Sequence, residues 1–297
     1  MARKAERPQR GVPASQRKGS RALMGIVAIA FFIIVFMGGL AWMRSGSDSP
    51  VKSASLERPA DKDTKPRPAV QASYEVVNSY PHDPTAFLQG LVWYDGAFYE
   101  STGLEGKSTL RRVEFPSGKV LKQVRLDPDL FGEGLALVND RLIQLTWTTG
   151  KGFVYDRETF NKVGEFTYDT EGWGLAYDGQ NLVLSDGSNV LTYLDPQTFK
   201  PVKKLSVTIN GRPARQLNEL EFIEGEIWAN VWQTDRILRI DPASGQVTSY
   251  LDMRDLLPPQ MRRGGEDVLN GIAYDRAQKR IFVSGKLWPR LFEIRLK

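Results

Sequence analysis

An all-β fold, a five-bladed β-propeller, is predicted by two features of this 297-residue chain. The first is a short phrase written five times, starting at Gln89-Gly90-Leu91, Glu133-Gly134-Leu135, Trp173-Gly174-Leu175, Asn218-Glu219-Leu220 and Asn270-Gly271-Ile272. Their first residues lie 44, 40, 45 and 52 positions apart, a period suited to propeller blades. The second is a run of short strand-like segments broken by turn signals roughly every 8–12 residues. In a propeller the innermost strand of each blade starts beside the axis. The five first-position residues therefore meet in one ring of Gln, Glu, Trp, Asn and Asn.

In chain order, residues 1–21 form a basic tail, with Arg3, Lys4, Arg7, Arg10, Arg17, Lys18 and Arg21 against Glu6. The 22 residues Ala22–Met43 are uncharged and mostly apolar. As a helix they span roughly 33 Å, the thickness of a bilayer core. A secretory leader has a shorter apolar core, of about 7–15 residues, so an uncleaved single-pass anchor is the reading, with a cleaved leader as its alternative. The positive-inside bias keeps the tail in the cytoplasm and places the body on the periplasmic, extracytoplasmic side of the cytoplasmic membrane. Residues 44–72, rich in Ser, Pro, Lys and Asp, read as a flexible tether, because they cannot bury enough apolar area to offset their ordering entropy.

Residues 73–297 form the propeller. The first unit is expected at Gly90–Tyr94, Ala97–Ser101, Thr109–Phe115 and Val120–Leu126, with Asp95-Gly96 and Pro116-Ser117-Gly118 as turns. The second comprises Gly134–Val138, Arg141–Trp147, Gly152–Asp156 and Lys162–Tyr168. The third comprises Gly174–Tyr177, Asn181–Asp186, Val190–Asp195 and Val202–Val207. The fourth comprises Leu220–Ile223, Glu226–Trp232, Ile237–Asp241 and Gln246–Asp252. The fifth has three strands, Gly271–Tyr274, Arg280–Ser284 and Leu291–Leu296, and borrows its fourth from Tyr74–Ser79, which closes the ring and covers strand edges. Met253–Met261 is expected as a short helix between blades four and five.

Composition narrows the chemistry. There is no cysteine, which excludes disulfides, thiolate nucleophiles and cysteine metal sites. The one histidine, His82, excludes multi-histidine zinc sites, and its turn sequence Tyr80-Pro81-His82-Asp83-Pro84 marks it as turn-stabilising. The net charge of +5 is a property of the N-terminus: residues 1–72 hold 13 of the 40 basic and 5 of the 35 acidic residues. The remaining 27 basic and 30 acidic residues leave the body at −3, so no nucleic-acid partner is expected. No phosphate loop, dinucleotide fingerprint or calcium loop is present.

Within the ring, Glu133 stands between Gly132 and Gly134, which let backbone or ligand approach closely. At the mouth of a desolvated channel its pKa should rise toward the range useful for proton transfer. The second strands end near the same mouth, at Thr102, Trp147, Asp186, Trp232 and Lys286. With Trp173 and with Phe87 on the entering loop they make an aromatic, mixed-charge rim. Taken singly, each of these residues has a structural reading: a satisfied acid, inter-blade tryptophans, a solvated lysine.

The phrases YPHDPTAFLQGL, ESTGLEGKSTLRR, FGEGLALVNDRLIQLTW, EGWGLAYDG, LNELEFIEGEIWANVWQTD and VLNGIAYD with RIFVSGKLWP resemble the plant- and bacterial-type glutaminyl-peptide cyclotransferases, the glutaminyl cyclase family typified by the papaya latex enzyme. The resemblance covers about 73–297. It implies a five-bladed propeller that converts N-terminal glutamine of peptides or proteins to pyroglutamate and releases ammonia, with no cofactor required; a monomer is the expected state. It leaves open a structural cation on the axis. The resemblance places the family's essential acid on Glu133 and its other pocket positions on Phe87, Gln89, Trp147, Trp173, Asn218, Trp232 and Lys286; Lys286 and Gln89 are expected to serve catalysis beside Glu133, and Phe87, Trp147, Trp173, Asn218 and Trp232 to bind substrate. Two rivals remain at this stage: a non-catalytic, membrane-tethered propeller that grips peptides or envelope proteins, and a metal-dependent propeller hydrolase, which calls for several acids around the axis.

Overall fold

A computed structural model describes residues 68–297. The basic tail 1–21, the apolar segment 22–43 and the tether as far as residue 67 lie outside the described residues. Among the described residues no helix is long and apolar enough to cross a membrane.

Five antiparallel sheets follow one another along the chain, each running in order from inner to outer strand. Blade one is Leu88–Tyr94, Ala97–Thr102, Thr109–Glu114 and Val120–Arg125. Blade two is Gly132–Val138, Arg141–Thr146, Lys151–Asp156 and Lys162–Thr167. Blade three is Leu175–Tyr177, Leu182–Leu184, Val190–Leu194 and Pro201–Ser206. Blade four is Leu217–Ile223, Glu226–Val231, Arg236–Ile240 and Val247–Asp252. Blade five is Leu269–Asp275, Arg280–Gly285 and Arg290–Leu296, completed by Tyr74–Pro81. That N-terminal strand pairs antiparallel with the last one, from Tyr74 opposite Leu296 to Pro81 opposite Arg290, so the termini close the ring as the sequence predicts. The closure covers the edge that the last strand would otherwise expose.

Period-two alternation explains why the blades pack as they do. Successive side chains on one strand face opposite neighbours. Leu182 and Leu184 pack toward blade two, and Val183 between them packs toward blade four. Ile281 and Val283 pack toward blade four, and Phe282 packs toward blade one. The result is five separate apolar cores, one at each blade–blade interface. Phe282 centres the closing interface, stacked on Trp93 at 5.2 Å and edge-on to Phe98 at 5.0 Å.

Four of the five repeated phrases coincide with a break in strand register. The ladder between the two inner strands slips between Leu88 and Gly90, Gly132 and Leu135, Leu217 and Leu220, and Leu269 and Ile272. In blade three Trp173 and Gly174 precede the inner strand altogether. A bulge re-aims the side chain it carries. This is how Gln89, Glu133, Asn218 and Asn270 leave the blade-to-blade packing and turn to the hub. The glycine that follows lets neighbouring phrases touch: a Cβ on Gly134 would lie 2.5 Å from the Leu175 nitrogen. Blade four breaks this rule with Glu219, a buried acid. Its carboxylate accepts the backbone N–H of Ile272 at 2.8 Å and of Leu91 at 3.3 Å, stapling blade four to blades five and one.

Three segments differ from the sequence reading. The sheet reaches back into the segment read as tether, because Val70–Ala72 adds a parallel fifth strand to blade four. Val70 and Ala72 extend the β pattern past a boundary set by composition. The helix expected at Met253–Met261 is reduced to a single 3-10 turn, Pro259–Met261. Pro258 and Pro259 forbid helical geometry just before them, and Leu256 and Leu257 instead bury themselves in the core between blades four and five. A small hairpin, Thr208–Ile209 with Arg212–Pro213, lies between blades three and four, turning through Asn210 and Gly211 at positive φ.

Candidate active site

All eight sequence-predicted site residues line one cavity. It has a volume of about 370 Å³ and is walled by Phe87, Gln89, Glu133, Trp147, Trp173, Asn218, Trp232 and Lys286, together with Phe131, Gln233, Asp267 and Val268. A larger cavity of about 680 Å³ opens where the inner strands end, at Tyr94, Tyr177, Glu221 and Asp275. It holds none of the ring residues and lies at the other end of the axis. The smaller cavity is the candidate site, because three of the bulged side chains, Gln89, Glu133 and Asn218, line it together with Trp173 of blade three.

Glu133 is 5% exposed and its side chain has one hydrogen bond. Gln89 donates its Nε2–H to Glu133 Oε1 at 2.8 Å. Asn270 in turn donates Nδ2–H to Gln89 Oε1 at 3.3 Å and to the Leu88 carbonyl at 3.1 Å. This relay across blades five, one and two fixes the carboxylate by one oxygen. Its Oε2 has no hydrogen-bond partner among the described residues. Burial raises the Glu133 pKa well above the ordinary carboxylate value; the Lys286 charge opposes this and the Glu171 charge adds to it. Gln89 is thus committed at both ends, as a holder of Glu133, and is less suited to bonding a substrate amide than its ring position suggests. Asn218 is the opposite case: its Oδ1 is buried without a partner at the cavity wall.

Lys286 is 4% exposed, so it is not a solvated lysine. The second strand of blade five ends at Gly285, and the backbone of Lys286 is pinned by its N–H to the Val268 carbonyl and by its carbonyl to the Asp267 N–H, both at 3.0 Å. Its ammonium lies 5.0 Å from the centre of the Phe87 ring. Burial lowers its pKa, while Glu133 and Asp267 hold it up.

The aromatic residues form an arc. Phe87 meets Phe131 edge-on at 6.0 Å, and Phe131 meets Trp147 at 5.7 Å. Trp173 meets Trp232 edge-on at 5.4 Å. Gly187 makes room for Trp173, since a Cβ there would lie 2.7 Å from the indole. Between the two halves stands Glu171, whose Oε2 accepts the indole N–H of Trp147 and of Trp173, each at 2.8 Å. Those two indoles therefore have no N–H to offer a ligand; that of Trp232 makes no such bond among the described residues.

Of the remaining second-strand ends, Thr102 and Asp186 do not line the cavity. Thr102 is buried, bonding Thr109 through its hydroxyl at 2.7 Å. Asp186 caps a turn by accepting the Ser188 N–H at 3.0 Å. His82 is a buried structural group, with Nδ1 2.7 Å from the Trp288 carbonyl oxygen and Nε2 3.3 Å from Glu100. Burial disfavours its protonation, but Glu100 and the Trp288 carbonyl outweigh this and raise its pKa. Phe131, Glu171 and Asp267 escaped the sequence reading. Phe131 carried a signal, standing two residues before Glu133 as Phe87 stands two before Gln89. No group of three or more His, Asp or Glu placed to hold a metal occurs among the described residues.

Comparison with known proteins gives a single answer. A family model described as glutamine cyclotransferase matches residues 51–296. The chain is 48% identical over 227 residues to the glutaminyl-peptide cyclotransferase of Arabidopsis thaliana, covering 75% of this chain and 71% of that one. It is similar in structure to the glutaminyl cyclase of Myxococcus xanthus, with a TM-score of 0.72, 40% identity, and coverage of 77% of this chain and 98% of that one. The match spans most of the chain in both sequence and fold: the chain belongs to the glutamine cyclotransferase family.

Proposed function

We propose that the protein converts N-terminal glutamine of peptides and proteins to pyroglutamate and releases ammonia, with Glu133 carrying the proton. The observation that supports this most strongly is a nearly buried carboxylate in a cavity of aromatic rings, held by one oxygen and pushed well above its ordinary pKa. The substrate's neutral α-amine attacks its own γ-carbonyl carbon, forming a C–N bond and a five-membered ring. Glu133 takes a proton from the attacking nitrogen and returns it to the side-chain nitrogen, and the second C–N bond then breaks. Ammonia leaves, water is not consumed, and Glu133 ends as it began. Both reacting groups belong to one residue, so the enzyme's task is to fold that residue and move one proton.

The other residues have roles that follow from their places. Phe87, Phe131, Trp147, Trp173 and Trp232 enclose the bent side chain. Asn218, with its unpartnered amide oxygen, receives a substrate N–H. Lys286 sets a positive charge beside the forming oxyanion and keeps part of the Glu133 population ionised. Gln89 and Asn270 hold Glu133 in place.

The deciding experiment measures ammonia and pyroglutamyl product from a Gln-initiated dipeptide, with and without chelator. One ammonia per product, unaffected by chelator and absent when the amine is acetylated, is the expected result. Binding without ammonia release would leave a recognition propeller, and loss of activity to chelator would point to a metal hydrolase.

We further propose that Ala22–Met43 anchors a monomeric enzyme in the cytoplasmic membrane with the propeller outside. The support is the uncharged 22-residue run and the basic tail before it. Protease added to spheroplasts should release the propeller; complete protection would reverse the orientation.

A further inference from the structure

We propose that Glu171 is the positioning residue of the substrate pocket, a single carboxylate oxygen that ties the indoles of blades two and three into one continuous wall. This rests on the cyclisation reading above. Every other link of the arc is a ring-on-ring contact: Phe87 to Phe131, Phe131 to Trp147, and Trp173 to Trp232. Between Trp147 and Trp173 the link is Glu171, with two N–H···O bonds of 2.8 Å converging on Oε2. Trp147 is 40% exposed, so packing encloses it less than it does a core tryptophan, and Phe131 is its aromatic neighbour. The backbone prepares the contact, since the Gly172 N–H donates to the Trp147 carbonyl at 2.9 Å and straps the loop that carries Glu171 to the end of blade two.

Charge-assisted bonds of this kind are stronger than neutral ones, and two of them cross-link side chains from separate sheets. A glutamine side chain must be bent back on itself to react, so the wall's position sets how often amine and carbonyl approach. An error of about 1 Å in such a wall costs on the order of 100-fold in rate.

The test compares wild type, E171A, E171Q and W147F in the full chain. Two readouts are taken: the tryptophan exciton couplet in circular dichroism, for which W232F supplies the reference without the Trp173–Trp232 pair, and kcat and KM for ammonia release from a Gln-initiated dipeptide. In E171A the couplet should weaken and kcat/KM should fall roughly 10–100-fold. E171Q should keep the couplet and recover most of that loss, because its amide oxygen still accepts both indole N–H groups. W147F, which removes one of the two N–H groups and leaves Glu171 intact, should fall between. The proposal is overturned if E171A keeps couplet and rate, if the couplet collapses with no change in rate, or if E171Q is as impaired as E171A. Absence of ammonia release by wild type would instead remove the cyclisation reading, and the couplet alone would then decide whether Glu171 ties the wall.

Discussion

Replacing Glu133 by glutamine separates catalysis from stability, because the two should move in opposite directions. The substitution preserves shape, and the new amide oxygen still accepts the Gln89 N–H now found at 2.8 Å. What disappears is the group that takes and returns a proton. General acid–base catalysis contributes typically about 10²–10⁴-fold, or roughly 2.7–5.4 kcal/mol of barrier, and kcat for ammonia release should fall by that amount. Stability follows from linkage. Burial raises the Glu133 pKa well above its ordinary value near 4.5. A carboxyl whose pKa is raised on folding supports the native state fully at pH below its unfolded pKa, and that support is lost as pH climbs from there through the folded pKa. E133Q has no such group to ionise. Its melting temperature should match wild type at pH 4 and exceed it increasingly between pH 5 and 8, measured by circular dichroism. An E133Q enzyme within about five-fold of wild-type kcat would refute the proton role. An E133Q protein less stable than wild type at pH 8 would refute the account of burial.

Four further outcomes follow. Lys286→Met removes the charge that holds the Glu133 pKa down, so the acid limb of kcat/KM, which needs the ionised carboxylate, should move to higher pH; an unmoved limb would separate the two residues. Gln89→Leu removes the one bond that orients Glu133 and should lower kcat by about 10–100-fold with a smaller change in KM, read in the same ammonia assay. Removing residues 1–67 should leave the melting temperature unchanged, whereas removing 1–81 deletes the strand paired with Arg290–Leu296 and should abolish cooperative unfolding. Glu219→Gln replaces one of two acceptors with a donor beside the Ile272 or Leu91 N–H, and should cost about 1–3 kcal/mol of stability in denaturant while leaving the acid limb in place.

The ring was legible because, in four of the five blades, the phrase that marks the blade is also the bulge that faces the hub. Glu133, Gln89 and Asn218 could be placed by counting from one copy to the next. The closing strand was legible because the fifth unit ran out of chain while Tyr74–Ser79 still carried strand pattern. Glu171 was not, since it sits in a loop after blade two, outside the period, and its role depends on two indole nitrogens 24 and 2 residues away meeting at one oxygen. Nor was the role of His82, whose partners Glu100 and Trp288 come from blade one and from the loop before the last strand. Local sequence reports the turn that His82 enters; only tertiary contact reports the buried acid beside it. The proline pair at 258–259 was readable in principle, and the helix expected there gave it too little weight.

Burial raises the pKa of three inner-strand acids; Glu221 lines the cavity at the other end of the axis, and Glu133 and Glu219 stand nearer the candidate site. What separates the latter two is the partner set. Glu219 accepts backbone N–H groups with both oxygens, from strands whose positions are fixed by the ladder. Moving a proton on or off it means breaking the contact between three blades, so it serves the fold. Glu133 is held by one oxygen, through the side chain of Gln89, with the rest of the carboxyl at the cavity wall. It can change protonation without moving backbone. A raised pKa alone would nominate either residue. The number of oxygens left uncommitted nominates Glu133, and the contrast between E133Q and E219Q, one losing rate and the other stability, follows from that difference in partners.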